Sequence, residues 1–530
     1  MKHFNLFCFL FLCILGLVQC SSEDKNTQIV SPSFLDDKTI GFEEKMDFLF
    51  NKNGSINIPM NEIQVKNVRS LYSKISFKPI FHIDTALNLL GQQMEEILLN
   101  PLPFGLAPSR IISLDSGDHW VVRELKLASN LTTILGDLNF GFIDFDSVQF
   151  KPINLYSCDS ILSKTLQQDS IDLSEFILSQ GPADTNYRFL ANTLYKYCKI
   201  YPTDTTTFSL KNKKEDTLNY EQNIILALQS KGFLKDTSNY DWKNALREFK
   251  SSCGFENSSI VTDAVLSALS ESTEQKIIRA GLTLDKLRQQ KKKEKKHVRV
   301  NLPSFLLYFV AEEKVQSKHR VIIGKNKTQT PEFTAKINTI VSFPFWKVPH
   351  SISDNEILPA VRRNKAYLEK HHYRIYQNGQ EIDPQTVDFS KYNKRFPFTT
   401  IQDPGPENSL GILKILFYNE HGVYVHDTPT KYLFRRDYRS FSHGCMRCEK
   451  PIELAKVILD FDSISPTKKN EITRDSLDYY IENEIHQKIK LLRSIPIYIE
   501  YNTVTADEKN IYFHNDLYAR ESKLIALYKQ

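Results

Sequence analysis

The sequence predicts a multidomain α+β chain, with a helical first half followed by a β-rich second half. Three observations carry this. At 530 residues the chain is longer than one hydrophobic core organises, so two to four domains are expected. Up to about residue 290 the apolar residues recur every three or four positions, the period of a helix. Past residue 297 they alternate instead, the period of a strand. A hydrophobic content of 41% and a charged content of 25% are those of a globular protein. The formal charge of +5 is small for this length and gives no argument for nucleic acid as a partner.

At the N-terminus, Lys2 and His3 precede an apolar run from Phe4 to Val18. The run is shorter than the roughly 20 residues of a membrane span and suits a signal-peptide core. It ends at Leu17-Val-Gln-Cys20, followed by Ser21-Ser-Glu-Asp-Lys25, and so resembles a bacterial lipoprotein signal, with Gln19 where a small residue is usual. The resemblance implies removal of residues 1–19, lipid attachment at Cys20, and a periplasmic chain anchored to the inner or outer membrane. A plain signal peptide or uncleaved anchor is the alternative. With Cys20 as anchor, Cys158, Cys198, Cys253, Cys445 and Cys448 remain, and an odd count in an exported chain implies at least one free thiol. Residues 20–45 are polar and read as a tether.

Residues 46–215 read as a helical scaffold. Val68, Leu71 and Tyr72 share one helical face, and Met94–Leu99 is stopped by Pro101 and Pro103. Glu124–Leu135 and Tyr187–Tyr197 are expected as further amphipathic helices, and no chemically loaded cluster precedes residue 210. In 216–290, three short helices (Gln222–Leu228, Asp241–Phe249 and Thr262–Leu269) are separated by turns at Gly232 and Gly254. This segment resembles the three-helix peptidoglycan-binding module, although Lys250 replaces the usual glutamine after Phe249 and the glycines usual near residue 260 are absent. A bundle that holds no ligand is the alternative. Lys291–Lys296 reads as a solvated linker, or as a contact for an anionic wall polymer or lipid headgroups. It lacks the interleaved aromatics of a nucleic-acid binder.

Residues 296–530 form the β-rich part. Val298–Pro303, Phe305–Val310, Arg320–Gly324, Ile337–Phe343, Leu413–Phe417 and Val423–Val425 read as strands. An insertion at about 350–400 carries a charged helical piece, Ala360–His372, and an Asn378-Gly379 turn. A helix is expected over Glu449–Leu459 and a polar helical stretch over about 467–493. Ile497–Tyr501 and Ile511–Phe513 then read as a closing hairpin.

Chemistry concentrates between residues 422 and 448. His426 falls at the end of an alternating strand, and Ser442-His-Gly-Cys445 reads as a tight turn ending in a thiol. A cysteine nucleophile needs a base within hydrogen-bond reach, and the base needs a third group to fix its tautomer. Two histidines compete for the role. His443 is nearer in sequence, while His426 could be oriented by the backbone carbonyl of Asp427. The N–H groups of Gly444 and Cys445, taken as lying at the start of the 449–459 helix, could form an oxyanion hole, and that helix start would lower the thiol pKa. Arg447 could support the turn or hold a carboxylate. In Cys445-Met-Arg-Cys448 the second cysteine reads first as a buried apolar substitute, with a thiol–disulfide oxidoreductase or a regulatory disulfide as the alternatives. A metal site built from His426, His443, Cys445 and Cys448 is disfavoured by its dense turn spacing.

Ser442-His-Gly-Cys-Met-Arg447 with His426 upstream resembles the signature of the YkuD-type L,D-transpeptidase catalytic domain. Thr330–Phe333, Pro344–Pro349, Asp403–Gly411, His426–Pro429 and Pro496–Tyr501 extend the likeness over most of 296–530. The whole arrangement is similar to the long periplasmic form, with a helical scaffold and a peptidoglycan-binding-like module. The resemblance implies Cys445 as acylated nucleophile, His426 as base oriented by the Asp427 carbonyl, and the 443–445 turn as oxyanion hole with His443 and Gly444 supporting it. Tyr424, Trp346, Ser442 and Arg447 are the implied substrate-binding residues, beneath a lid at about 350–400. The implied reaction is acyl transfer from a peptidoglycan stem tetrapeptide with release of D-alanine, giving a 3→3 cross-link. No cofactor, metal or nucleic acid is implied, and a carbapenem adduct is expected. The alternatives are a catalytically degenerate wall-binding protein and a CxxC oxidoreductase.

Overall fold

The change of hydrophobic period near residue 297 is a change of architecture: helices fill the chain before it and strands dominate after it. The computed structural model describes residues 33–529 apart from 52–57, 157–170, 202, 235–240, 466–467 and 470. Cys20, the apolar run before it, and Cys158 lie outside the described residues.

Part of the segment read as a tether is helical. Helix α1 (Ser33–Asp36) and the start of α2 (Phe42–Phe50) place Leu35 and Met46 in the N-terminal core. That core is shared with α3 (Glu62–Ser73), α4 (Leu89–Leu99), α5 (Trp120–Phe140) and α6 (Leu173–Ser179). Helix α5 is not the amphipathic helix expected, because it is buried on nearly every face. Its buried Glu124, Lys126, Asn130 and Asp137 find partners inside the protein, whereas the Ser129 and Thr133 hydroxyls have none among the described residues. The Glu124 carboxylate accepts from the Tyr72 hydroxyl at 2.5 Å, the Ile80 N–H at 2.6 Å and the Phe81 N–H at 3.1 Å, and contacts His82 Nδ1 at 2.7 Å. Polar residues along a helix mark a wet face only when no partner is buried with them.

Helix α7 (Thr185–Ile200) precedes three short helices, α8 (Tyr220–Ser230), α9 (Trp242–Ser252) and α10 (Asp263–Ser270). These three share a core built on Ile224, Leu228, Leu246, Phe249, Val265 and Leu269. Helix α11 (Thr273–Gln289) packs elsewhere, against Tyr187, Leu190 and Leu194 of α7 and against Val504, Ile511 and Phe513 near the C-terminus. Buried Arg279 on α11 donates to Glu521 at 2.9 Å, so this helix ties the helical region to the β-rich one.

The main sheet comprises β1 (His297–Asn301), β2 (Leu306–Ala311), β3 (Lys314–Gly324), β4 (Phe333–Ser342), β9 (Leu413–Phe417), β10 (Val425–His426), β11 (Ser440–Ser442), β12 (Met446–Cys448) and β13 (Gln487–Glu500). Its order is β11-β3-β12-β10-β9-β4-β13-β1-β2, and β2 also pairs with β3, so the strands close into a circuit. Val300, Leu307, Phe309, Ile323, Ile340, Ile415 and Ile497 fill its interior.

Two C-terminal expectations are corrected. Among the described residues of 467–493, Arg474–Glu482 is the one α-helix, and from Gln487 the chain is a long strand. The reason is tertiary: β13 pairs antiparallel with β4 and parallel with β1, so even its lysine-rich start finds ladder partners. The closing hairpin joins Ile511–Phe513 to Val504–Ala506, and not to Ile497–Tyr501, which is held inside the main sheet.

Between β4 and β9 lies an insertion with its own core of Leu368, Ile375, Phe389, Phe396 and Phe398. It combines helices α12 (Leu358–Arg363) and α13 (Ala366–Lys370) with a four-stranded sheet. The strands are β5 (Trp346–Lys347), β6 (Tyr373–Gln377), β7 (Gln380–Ile382) and β8 (Thr399–Gln402), in the order β7-β6-β8-β5. Asn378 (φ 50°) and Gly379 (φ 83°) form the tight β6–β7 turn that their sequence predicts.

Candidate active site

Strand register decides which side chains meet. β10 runs parallel to β12, with Val425 opposite Met446 and His426 opposite Arg447, and antiparallel to β9, with Lys414 opposite His426. Val423, Val425, Met446, Cys448, Leu413 and Ile415 point into the core. Alternation therefore turns Tyr424, His426, Cys445, Arg447 and Lys414 to the opposite face, towards the insertion. There a cavity of about 290 Å³ is lined by Tyr424, His426, Cys445 and Arg447 from the sheet and by Trp346 and Glu356 from the insertion.

His426 is buried, and its Nδ1 lies 2.5 Å from the Asp427 backbone oxygen. A carbonyl only accepts, so Nδ1 carries the proton and Nε2 is the basic nitrogen. Burial, reinforced by the positive charges of Arg447 and Lys414, pushes the imidazole pKa down to about 3, so the resting ring is neutral. The Asp427 carboxylate is held in turn by the Ile412 N–H at 3.1 Å and by Lys431. Gly411 makes room for it: at φ +59°, a Cβ there would sit 2.3 Å from Asp427 Oδ2.

Cys445 is partly exposed and its thiol faces the Gly422 carbonyl at 3.7 Å. Burial pushes the thiol pKa up, opposed by the N–H and hydroxyl of Tyr424 and by the charge of Lys414. The expected helix effect is absent because Cys445 does not open a helix. β12 intervenes, and helix α14 (Pro451–Asp460) begins only beyond it.

The turn before the thiol is pinned from several sides. Ser442 Oγ donates to the Cys445 carbonyl at 2.5 Å and accepts the Gly444 N–H at 3.2 Å. Thr330 Oγ1 donates to the Gly444 carbonyl at 2.8 Å. Gly444 adopts φ +119°, outside the range of ordinary side-chain-bearing residues. Its N–H is thus already engaged, which leaves the Cys445 N–H as the turn's donor for a developing oxyanion. His443 is exposed and reaches the insertion, with Nε2 2.6 Å from Glu356 Oε1. Arg447 donates to Thr430 Oγ1 at 3.1 Å, while its buried Nε has no hydrogen-bond partner among the described residues.

Cys448 faces away from all of these. It is fully buried in the core, bonds the Glu449 carbonyl at 3.3 Å, and its thiol pKa is raised well above the usual value by burial. Cys445 and Cys448 are both free thiols. Three residues of extended chain separate their Cα atoms by roughly 10 Å, beyond the roughly 7 Å limit of a disulfide. The same alternation prevents Cys448 from joining His426 and Cys445 around a metal.

Four contributors were not singled out from sequence. Gly411 lay within the Asp403–Gly411 stretch that carried the resemblance, but its part in seating Asp427 was invisible there. Lys414, Lys431 and Glu356 gave no local signal, because each reaches the site from another element.

Residues 295–469 match the family model of the L,D-transpeptidase catalytic domain, YkuD. Over 226 residues the chain is 28% identical to a putative L,D-transpeptidase of Haemophilus influenzae, covering 42% of this chain and 44% of that protein. The chain thus spans less than half the length of this curated relative. Among solved structures, it is similar to an L,D-transpeptidase from Mycobacterium smegmatis at 14% identity and a TM-score of 0.18, over 39% of this chain and 58% of the other. A second, from Stackebrandtia nassauensis, is similar at 13% identity and a TM-score of 0.19, over 57% and 96%. The chain carries an L,D-transpeptidase-like catalytic domain behind an N-terminal helical region. No described helix is long and apolar enough to cross a membrane.

Proposed function

We propose that this chain is a cysteine-dependent peptidoglycan L,D-transpeptidase that forms 3→3 cross-links. The observation that carries the reading is that Cys445, just before β12, and His426 on the neighbouring β10 share one face, with His426 Nδ1 fixed by the Asp427 carbonyl. In the acylation step His426 Nε2 takes the Cys445 proton as sulfur attacks the carbonyl of the third stem residue. The Cys445 N–H supports the oxyanion. D-Alanine leaves with the proton returned by His426, and a thioester remains. An amine of a neighbouring stem attacks the thioester, His426 removes the amine proton, and sulfur departs as the new amide forms. Arg447, with an unpartnered buried Nε at the cavity, is suited to a stem carboxylate. Tyr424, Trp346 and the insertion wall the groove and limit water, which favours transfer over hydrolysis. Export, lipidation at Cys20 and a wall-facing location complete the proposal, since the substrate lies outside the cytoplasm.

The test is mass spectrometry of the reduced full-length chain after incubation with a carbapenem, together with chromatography of a stem-tetrapeptide reaction. The wild type should gain one adduct on Cys445 and release D-alanine. C445A should do neither, and H426A should lose turnover. An unmodified, inactive wild type would sink the reading and favour a degenerate wall-binding protein. Loss of turnover in C448V with Cys445 still reactive would favour the redox alternative.

A further inference from the structure

Lys414 is a cation on the active-site face that the mechanism above does not use. It sits on β9 opposite His426, with Leu413 and Ile415 on either side buried in the core, so its side chain is committed to the cavity face. Its Nζ lies 3.7 Å from the centroid of the Tyr424 ring. Lys414 makes no ion pair with a carboxylate among the described residues, and it is only partly exposed. A lysine held at such a position without a counter-ion is costly, and here burial pulls its pKa down. Tyr424 is the intermediary: its hydroxyl and backbone N–H face the Cys445 sulfur, and its ring packs beside the insertion core.

We propose that Lys414 is a positioning residue whose ammonium, seated on the Tyr424 ring, polarises the Tyr424 hydroxyl towards Cys445 and stabilises the thiolate form of the nucleophile. A cation over the face of a phenol draws electron density from the ring and makes the hydroxyl a stronger donor. The Cys445 proton still passes to His426 Nε2, while Lys414 keeps all of its own protons and supplies only field. Tyr424 stays protonated, since burial raises its pKa well above the usual value.

Among the described residues, no other group facing the thiol fills this role. On its own segment, His443 is paired with Glu356 and Arg447 is anchored on Thr430. On β10, His426 is held neutral by burial and by the charges of Arg447 and Lys414. From the insertion, Tyr367 and Tyr373 are phenols whose pKa values burial raises, so neither brings charge at neutral pH, and the His371 ring lies tilted against Tyr367 with centroids 4.4 Å apart. Glu356, the acidic group there, opposes a thiolate. Arg447 likewise has no carboxylate partner among the described residues, but it is turned to Thr430, and the cation whose charge acts on the Cys445 thiol is Lys414.

This inference rests on Cys445 as the nucleophile of the proposed reaction, but its test needs no substrate. The pH dependence of Cys445 alkylation by iodoacetamide, a neutral reagent, is followed at the peptide level in the full chain, with C445A as blank. K414M should move the midpoint upward by about one pH unit and slow alkylation at pH 7 roughly tenfold, with K414R recovering most of the rate. Y424F should raise the midpoint similarly, and adding K414M to Y424F should change little further. A wild-type alkylation profile in folded K414M would overturn the proposal, as would an effect confined to KM for the stem peptide. A wild type that alkylates with the expected profile yet turns over no stem peptide would sink the transpeptidase reading and leave this one standing.

Discussion

Replacing Gly411 by alanine tests whether the geometry of the base is set from beneath the strand that carries it. A Cβ at this position would lie 2.3 Å from Asp427 Oδ2 and 2.5 Å from Asp427 Cβ, so Asp427 must move. Asp427 supplies the carbonyl that fixes the His426 tautomer, and a shift there is transmitted directly to the imidazole. The backbone at φ +59° costs a side-chain-bearing residue about 1–2 kcal/mol, and overpacking adds about 1–3 kcal/mol. For a domain of this size the combined loss lowers Tm by about 5–15 °C. A misplacement near 1 Å at the reacting groups costs on the order of 100-fold in rate. G411A should therefore lose about 100-fold in kcat for stem-peptide turnover while remaining folded below its transition. Gly379 provides the control, since it has φ +83° and nothing within 4 Å of a built Cβ. G379A should lose only about 1–2 kcal/mol by backbone strain and keep its kcat. Calorimetry and steady-state kinetics on the pair give both numbers. A G411A enzyme with wild-type kcat would refute the claim that Asp427 positioning controls the base.

C448V should retain Cys445 alkylation and turnover within about twofold and cost less than about 1.5 kcal/mol, because it exchanges one buried apolar side chain for another; urea titration and the alkylation rate check both. D437A should destabilise the chain by about 3–5 kcal/mol in urea unfolding, because it leaves fully buried Lys250 without the carboxylate 3.4 Å away that links the three-helix segment to the loop before the thiol turn. Stability should also fall with acid through a specific pair. His426 and His514 are both pushed down to about 3 by burial, so between the usual histidine value of 6.5 and about 3 the unfolded chain binds protons that the folded chain refuses. Their contribution is complete above pH 6.5 and declines as pH drops through that window, with a slope approaching about 1.4 kcal/mol per pH unit for each group. Urea unfolding at pH 7, 6 and 5 should show this, and H514Q should flatten the curve.

Much of the site was legible because the signals are local. Alternation around Val423 and Val425 put Tyr424 and His426 on a common face, and the Gly444 turn announced a displayed thiol. Mistakes arose where a local pattern had two tertiary solutions. Residues 487–493 look polar and helical in isolation, yet β4 offers a ladder that makes them strand. Helix α5 looks amphipathic, yet Glu124, Asn130 and Asp137 all find partners within the protein.

By itself, the sequence determined the change from helix to strand near residue 297 and offered one thiol with two candidate histidines. Those follow from periodicity and turn chemistry, which depend on neighbours along the chain. Only the tertiary structure decided that His443 turns to Glu356, that Cys448 faces away from Cys445, and that Lys414 sits on the Tyr424 ring. Each depends on strand register, and register is set by which faces are buried together across the whole sheet.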